Sequence, residues 1–572
     1  MPNDSQTVPL WFEALSARPI RRTRVWIAVW LFLISLLIRC IGIGWGLPNE
    51  NRHQSLHPDE LITAAAAYSN PYFKPGFYNY GSLYLTVLKL GSNMGESYGW
   101  VPTGENVETW RTLRGIELTG RVISAISGAA AVSIVFLLAL FVTNLFGAAV
   151  AAFCMMTAPG MVVHSRFETV DAFSTMMIAL ALYFVCLLSA AENERKLRLA
   201  AGAGLLIGLA AGSKYLGALL LIPGLTACRG ALLRTGLALT GAAVAGFLAA
   251  TPGVLLEWPV FARDFGYELG HSAQGHGLVF VSTPSGFLYH PVVNFPAAMG
   301  LGASVLGIAG LIWAAVKRPQ VWILLLLFFA AFFLVIGRAE VKFMRYAFPL
   351  VLILTIGVGY LTGELHAKGG KARWAAALCG VFLLFGITAP TGVVEMTNIM
   401  TQPDARDVCG EWVSKNLPAE ATIGFVNDPW FYSPTLFPDT DELDANRRLD
   451  SMRKQSPRLL RYVPPSGPRI EWDSRLVTEL HPDYIVFSSF EFYDHDRLNE
   501  PEFEKTIQLI CKEYRLRAEF WGGHIQAAGS DPNAGIVSRS DLRALCRQAM
   551  PEPHDMMYIR PVVWLFQKSL TR

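Results

Sequence analysis

Asp59 and Glu60 have the clearest chemical potential in this 572-residue chain: within His57-Pro58-Asp59-Glu60 they set two adjacent carboxylates just beyond the first apolar run. A carboxylate at the edge of a low-dielectric slab can have its pKa raised and act as a general base, for instance on a hydroxyl. Charged residues also fall in or beside the apolar runs: Arg39, Arg121, Arg166, Asp171, Lys214, Lys342 and Arg345. Ionisable groups at membrane depth are costly and tend to be paired or functional. If the runs alternate across a bilayer, all seven fall on one side, at the level of lipid head groups. Cations around a few carboxylates there suit a phosphate or diphosphate whose hydrocarbon tail stays in the bilayer. Arg121, Arg166, Lys214 and Arg345 are the phosphate-side candidates. Asp171 could orient one of these cations, and His276 is a further candidate for ligand contact. Blander roles exist for each: Pro58 with two acids suits the first turn of a helix, Arg39 could snorkel to head groups, and Lys342 and Arg345 could anchor a span end.

Long apolar elements must position these residues. Apolar side chains make up 52% of the chain against 16% charged, and mean hydropathy is +0.35, the composition of a polytopic membrane protein. A net charge of +3 gives no reason to expect nucleic acid. The first run, 25–47, follows Arg21-Arg22-Thr23-Arg24 and is read as a retained span after a cytoplasmic segment 1–24. Further runs near 118–143, 147–163, 172–190, 198–213, 215–228, 235–251, 292–316, 320–337, 346–364 and 373–390 bring the expectation to about 11 transmembrane helices. The connections near 194–198, 228–234, 317–318 and 368–373 are basic, as the positive-inside rule asks of cytoplasmic loops. The runs around Gly212-Ser213-Lys214 are too short for two full crossings, so broken helices meeting near Lys214 are expected.

Outer loops 48–117 and 251–291 and everything after 390 then lie on the noncytoplasmic side. Residues 391–572 change character and read as a soluble α/β domain, with helices expected over 406–416 and 501–514 and strands over 422–426, 483–488 and 561–567. Cysteine adds little: Cys409, Cys511 and Cys546 allow one disulfide in that domain, and no Cys-x-x-Cys or His/Cys ligand spacing appears, so no metal ligand is assigned. Neither a Gly-x-Gly-x-x-Gly after a strand nor a Gly-x-x-x-x-Gly-Lys-Ser/Thr loop occurs, which argues against a soluble nucleotide-sugar donor.

Gly120-Arg121-Val122-Ile123-Ser124-Ala125, Leu145-Phe146-Gly147, Ala158-Pro159, Ser165-Arg166-Phe167 and Thr169-Val170-Asp171 resemble, in this order, the membrane core of protein O-mannosyltransferases and related lipid A aminoarabinose transferase-like enzymes of the GT-C class. Asp59-Glu60 resembles that group's outer acidic motif. Gly212-Ser213-Lys214-Tyr215, Gly275-His276-Gly277 and Lys342-Phe343-Met344-Arg345-Tyr346 resemble its later signatures. Asp404-Ala405-Arg406 through Leu417-Pro418 looks like the start of the soluble domain of bacterial members.

The resemblance implies an all-α GT-C type membrane domain, 25–390, with the soluble α/β domain outside the cytoplasm. It implies sugar transfer from a polyprenyl-phosphate carrier to a lipid, glycan or protein acceptor, with inversion, at the periplasmic face of a bacterial inner membrane. Asp59 would be the base and Glu60 its positioning partner. No cofactor is required, although other GT-C enzymes use a divalent metal at a similar acidic site. A transporter or flippase of a lipid-linked or anionic substrate is the main alternative; its charges belong nearer the midplane, on repeated broken helices. A membrane sensor would leave the outer-face charges unexplained.

Overall fold

The computed structural model describes residues 18–229, 232–436, 445–527, 537–549 and 553–569; most of the expected cytoplasmic segment 1–24 lies outside them. Among the described residues seven helices are long and apolar enough to cross a membrane: Arg22–Cys40, Thr109–Ala139, Val170–Ser189, Leu232–Ala250, Pro319–Arg338, Met344–Lys368 and Gly370–Ile399. Shorter apolar helices cover Leu145–Met156, Tyr215–Ala227 and Leu301–Lys317, and Asn193–Ala211 carries its charges in its first turns. Each expected apolar run has a helical counterpart, and the chain is a multi-pass membrane protein with a C-terminal sheet domain.

Small residues set the distances between these helices. A Cβ on Gly208 would sit 2.1 Å from the Ala243 carbonyl oxygen, so Asn193–Ala211 and Leu232–Ala250 touch backbone to backbone, the approach that small residues allow in membranes. Met344–Lys368 is the central post, with 94% of its most apolar window buried. The expected break falls at Lys214: Asn193–Ala211 stops, Lys214 is extended (φ −139°, ψ 129°), and a 3-10 turn Tyr215–Leu220 follows.

The two outer loops are corrected by the structure. Segment 48–117 contains helices Pro58–Tyr68 and Leu83–Tyr98, and Thr109–Ala139 begins inside it; segment 251–291 contains Trp258–Gln274. These helices are too short or too polar to register as spans. Their apolar faces, such as Tyr84, Leu85 and Leu88, are nevertheless buried on the bundle.

The terminal domain is one six-stranded mixed sheet. Strands β1 (Ile423–Phe425), β2 (Leu459–Leu460), β3 (Tyr484–Ser488), β4 (Tyr514–Trp521), β5 (His524–Ala527) and β6 (Val562–Lys568) lie in the order β2-β1-β3-β6-β4-β5. The β1 pairings with β2 and β3 are parallel, and β6 runs antiparallel to β3 and β4. Alternation along β6 supplies both faces. Val563 and Leu565 pack with Cys409 and Val413 of helix Ala405–Asn416, while Trp564 and Phe566 pack with Phe503, Ile507 and Ile510 of helix Pro501–Glu513. Cys409 and Cys511 are both free thiols, and the side chain of Cys546 lies outside the described residues.

Candidate active site

The His57-Pro58-Asp59-Glu60 tetrad is the beginning of a helix rather than part of a loop. His57 is the N-cap, its Nδ1 accepting the Asp59 N–H at 3.2 Å; Pro58 occupies the first turn, where a missing N–H costs nothing. At 3.6 residues per turn, neighbouring side chains point about 100° apart, which separates the two carboxylates. Asp59 faces outward with its side chain 43% exposed. Glu60 points into the bundle, fully buried, and takes a fork of bonds from Arg121, Nε at 2.8 Å and Nη2 at 2.7 Å, plus the Glu168 N–H at 2.7 Å. Burial alone would push the Glu60 carboxyl up; Arg121 outweighs it and holds the group below the usual carboxylate range.

Asp59 instead joins Arg345, Asp171 and Lys214. Arg345 Nη2 lies 3.1 Å from Asp59 Oδ2 and its Nε 3.8 Å from Asp171 Oδ2, so one guanidinium bridges both aspartates. Lys214 Nζ donates to the other Asp171 oxygen at 2.6 Å and stands 4.4 Å from the Tyr346 ring centre. Four separate elements deliver these groups: the first turn of Pro58–Tyr68, the first turn of Val170–Ser189, the break at Lys214, and the 3-10 turn Met344–Ala347 at the N-terminal end of the central post. Lys214 is a quarter exposed and Asp59 more so, while Arg345 and Asp171 form the floor.

The other expected residues are held elsewhere. Arg121 is sealed: besides Glu60 it donates to the carbonyls of Ile43 and Trp45. Arg166 donates to the Ile38 carbonyl and Thr397 Oγ1, both at 2.9 Å. Arg39 is fully buried and bonds Ser35 and Ser165, so it does not snorkel. Lys342 Nζ sits between Glu340 and Thr283, 3.3 Å from each. His276 lies against the Phe343 ring and meets His271, which is on the helix Trp258–Gln274, at 2.9 Å; burial and then His271 and Arg345 lower its pKa, leaving it neutral at pH 7. Among the described residues no group of three or more His, Cys, Asp or Glu side chains is arranged to hold a metal ion.

Three residues escaped the sequence reading. Asp555, fully buried in the terminal domain, accepts the backbone N–H groups of Met344 at 3.2 Å and Arg345 at 3.0 Å. His164 approaches the same carboxylate at 3.8 Å. Glu168, whose side chain a Cβ on Gly120 would strike at 2.0 Å, is fully buried; burial first, then Glu117 and Glu60, raise its pKa well above the usual carboxylate range. His164 and Glu168 bracket Ser165-Arg166-Phe167 and could have been found there. Asp555 stands among Pro553, His554 and Met556 with no motif to mark it.

With this geometry in place, residues 114–256 match the family described as dolichyl-phosphate-mannose-protein mannosyltransferase. Comparison with curated protein sequences gives no match. Similar solved structures include the oligosaccharyltransferase AglB from Archaeoglobus fulgidus in complex with an inhibitory peptide and a dolichol-phosphate (14% identity, 90% of this chain and 75% of that chain covered, TM-score 0.46). ArnT from Cupriavidus metallidurans bound to undecaprenyl phosphate is similar at 16% identity over 84% of this chain and 95% of that chain, TM-score 0.46. The S. cerevisiae protein O-mannosyltransferase Pmt1-Pmt2 complex bound to the sugar donor is similar at 18% identity, 49% and 37% coverage, TM-score 0.30. The family match covers the segment that supplies Arg121, Arg166, Asp171 and Lys214.

Proposed function

We propose that the protein transfers a sugar from a polyprenyl-phosphate donor to an acceptor nucleophile at the noncytoplasmic face of a cell's inner membrane. The observation that carries this reading is the bridge of Arg345 between outward-facing Asp59 and buried Asp171, with Lys214 on the far oxygen of Asp171. Two cations on a shared carboxylate floor can receive the phosphate of a lipid-linked sugar, leaving its tail in the bilayer beside the apolar helices. Phosphate competes with Asp59 for the Arg345 guanidinium and so frees that carboxylate.

Asp59 then takes the proton of the acceptor hydroxyl or amine as its oxygen or nitrogen attacks the anomeric carbon. The bond from that carbon to the phosphate oxygen breaks, its electron pair leaves with the polyprenyl phosphate, and Lys214 and Arg345 stabilise the new charge. Attack opposite the leaving group inverts the anomeric centre. Arg121, Arg166 and Glu60 act behind this site by fixing Pro58–Tyr68 and the Phe167 segment. The terminal sheet domain sits on the same side and would meet the acceptor. A divalent metal at the aspartates is not required, because Arg345 and Lys214 together balance the charge of Asp59 and Asp171.

Purified full-length protein in nanodiscs, supplied with radiolabelled polyprenyl-phosphate sugars and native membrane extract, tests the reading. Labelled product that grows with wild type and falls with Lys214→Gln supports it. Vesicle uptake of the intact donor without any new glycosidic product would favour a flippase.

A further inference from the structure

A cavity of about 620 Å³ lies between outer residues 276–279 and the terminal domain. Its inner wall is His276 and His554, whose rings both pack on Phe343, and the Arg345 guanidinium lies 4.2 Å from the centre of that same ring. The cavity is therefore one side chain away from Arg345.

Its outer wall is polar and only partly neutralised. His495 donates to Glu471 at 2.6 Å and to Glu500 at 2.7 Å, Asp494 pairs with Arg497 at 2.9 Å, and Glu502 accepts from Ser474. What remains is a surface rich in oxygen lone pairs, beside the aromatic residues Phe431, Tyr432 and Phe490. Glu491 is the exception. It is 4% exposed; its Oε2 accepts both Ser488 groups as part of a capping box, while its buried Oε1 has no partner within the protein. Burial, then Glu471, pushes the Glu491 carboxyl up to about 8, so it keeps a proton to donate at neutral pH.

We propose that this cavity binds the acceptor as a neutral glycan, a polyhydroxylated sugar whose hydroxyls donate to the paired carboxylates, while the unpartnered Glu491 oxygen bonds one further hydroxyl. Aromatic residues among hydrogen-bonding groups suit the apolar faces and hydroxyl edges of a sugar ring, and an excess of carboxylates over cations excludes an acidic glycan or a phosphate. This rests on the transferase reading and narrows it to a neutral saccharide acceptor.

Saturation-transfer NMR on the full chain in nanodiscs tests it, with mannotriose, maltotriose, cellotriose, a glucuronate-containing disaccharide and a lysine-rich hexapeptide as probes. At least one neutral trisaccharide is expected to bind wild type and Asp59→Asn alike. Ile470→Trp should weaken that binding at least tenfold, because Ile470 is exposed on the cavity lining and its enlargement fills the space without touching the core. Binding of the hexapeptide or the acidic disaccharide instead, binding unaffected by Ile470→Trp, or no saccharide binding at all would overturn the proposal. Saccharide binding without sugar transfer by wild type would overturn the transferase reading and leave a glycan site; transfer without saccharide binding would do the reverse.

Discussion

Asp555 of the terminal domain caps the 3-10 turn that carries Arg345, accepting the N–H groups of Met344 and Arg345 across 210 residues of sequence. Those N–H groups open the turn and have no earlier carbonyl to bond, so the carboxylate satisfies them from another domain. Sheet and membrane site are joined at the residue that bridges both aspartates.

Asp555→Ala leaves two buried donors unsatisfied, each costing about 1–3 kcal/mol, and should lower both Tm and transfer. Asp555→Asn keeps an acceptor oxygen and should recover Tm more fully than rate. Thermal unfolding and kcat, measured together, check this; an alanine variant unchanged in both would show that the cap is dispensable.

Lys214→Gln removes a charge-assisted bond of about 1.5–3 kcal/mol, so donor kcat/KM should fall roughly 10- to 150-fold with Tm nearly unchanged. The side chain is partly exposed, so any loss of stability should be small. Steady-state kinetics with varied donor at fixed acceptor measures the effect.

Glu60→Ala is expected to behave differently, because it strands Arg121 as an uncompensated buried charge. Breaking such a pair costs about 3–5 kcal/mol, and the variant should be poorly folded in detergent. The double change Glu60→Met with Arg121→Met should recover much of the stability, measured by thermal unfolding. No recovery in the double variant would show that the pair acts through something other than its charges.

The terminal domain should lose stability as pH rises from 6.5 to 8. Glu491 has a folded pKa pushed up to about 8 by burial, so between its unfolded value of 4.5 and 8 the native state holds more protons and rising pH favours unfolding. In His495, burial opposes protonation but Glu471 and Glu500 outweigh it and raise the pKa; its contribution is complete below 6.5 and is lost as pH passes the raised value. His554, lowered to about 3 by burial, His276 and Arg345, works in the opposite direction, but only below 6.5. Near-UV circular dichroism melts across this window should show the fall, and Glu491→Gln should flatten it.

How much of this was legible in the sequence follows from which interactions are local. Hydropathy located the spans, and the short runs around Gly212-Ser213-Lys214 pointed to the break that delivers Lys214. Short continuous apolar runs placed β3 and β6 within a residue or so of their observed bounds. That Asp59 and Glu60 point apart was not legible, because adjacency in sequence says nothing of direction until the helix begins at Pro58. Their partners, Arg345 and Arg121, lie 286 and 61 residues away. For the same reason Arg121 and Arg166 read as free cations although each is already bonded to carbonyls and side chains within the bundle.

Asp59 is proposed as the base. The most direct measurement is transfer of labelled sugar from a polyprenyl-phosphate donor by wild-type and Asp59→Asn protein in parallel, with donor binding measured on the same preparations. Removing a positioned general base typically costs about 10²–10⁴-fold in rate. A loss of that size is expected in Asp59→Asn, with donor affinity equal to or tighter than wild type because Arg345 is released from its carboxylate partner. Asp59→Asn protein that transfers sugar at the wild-type rate would contradict this assignment.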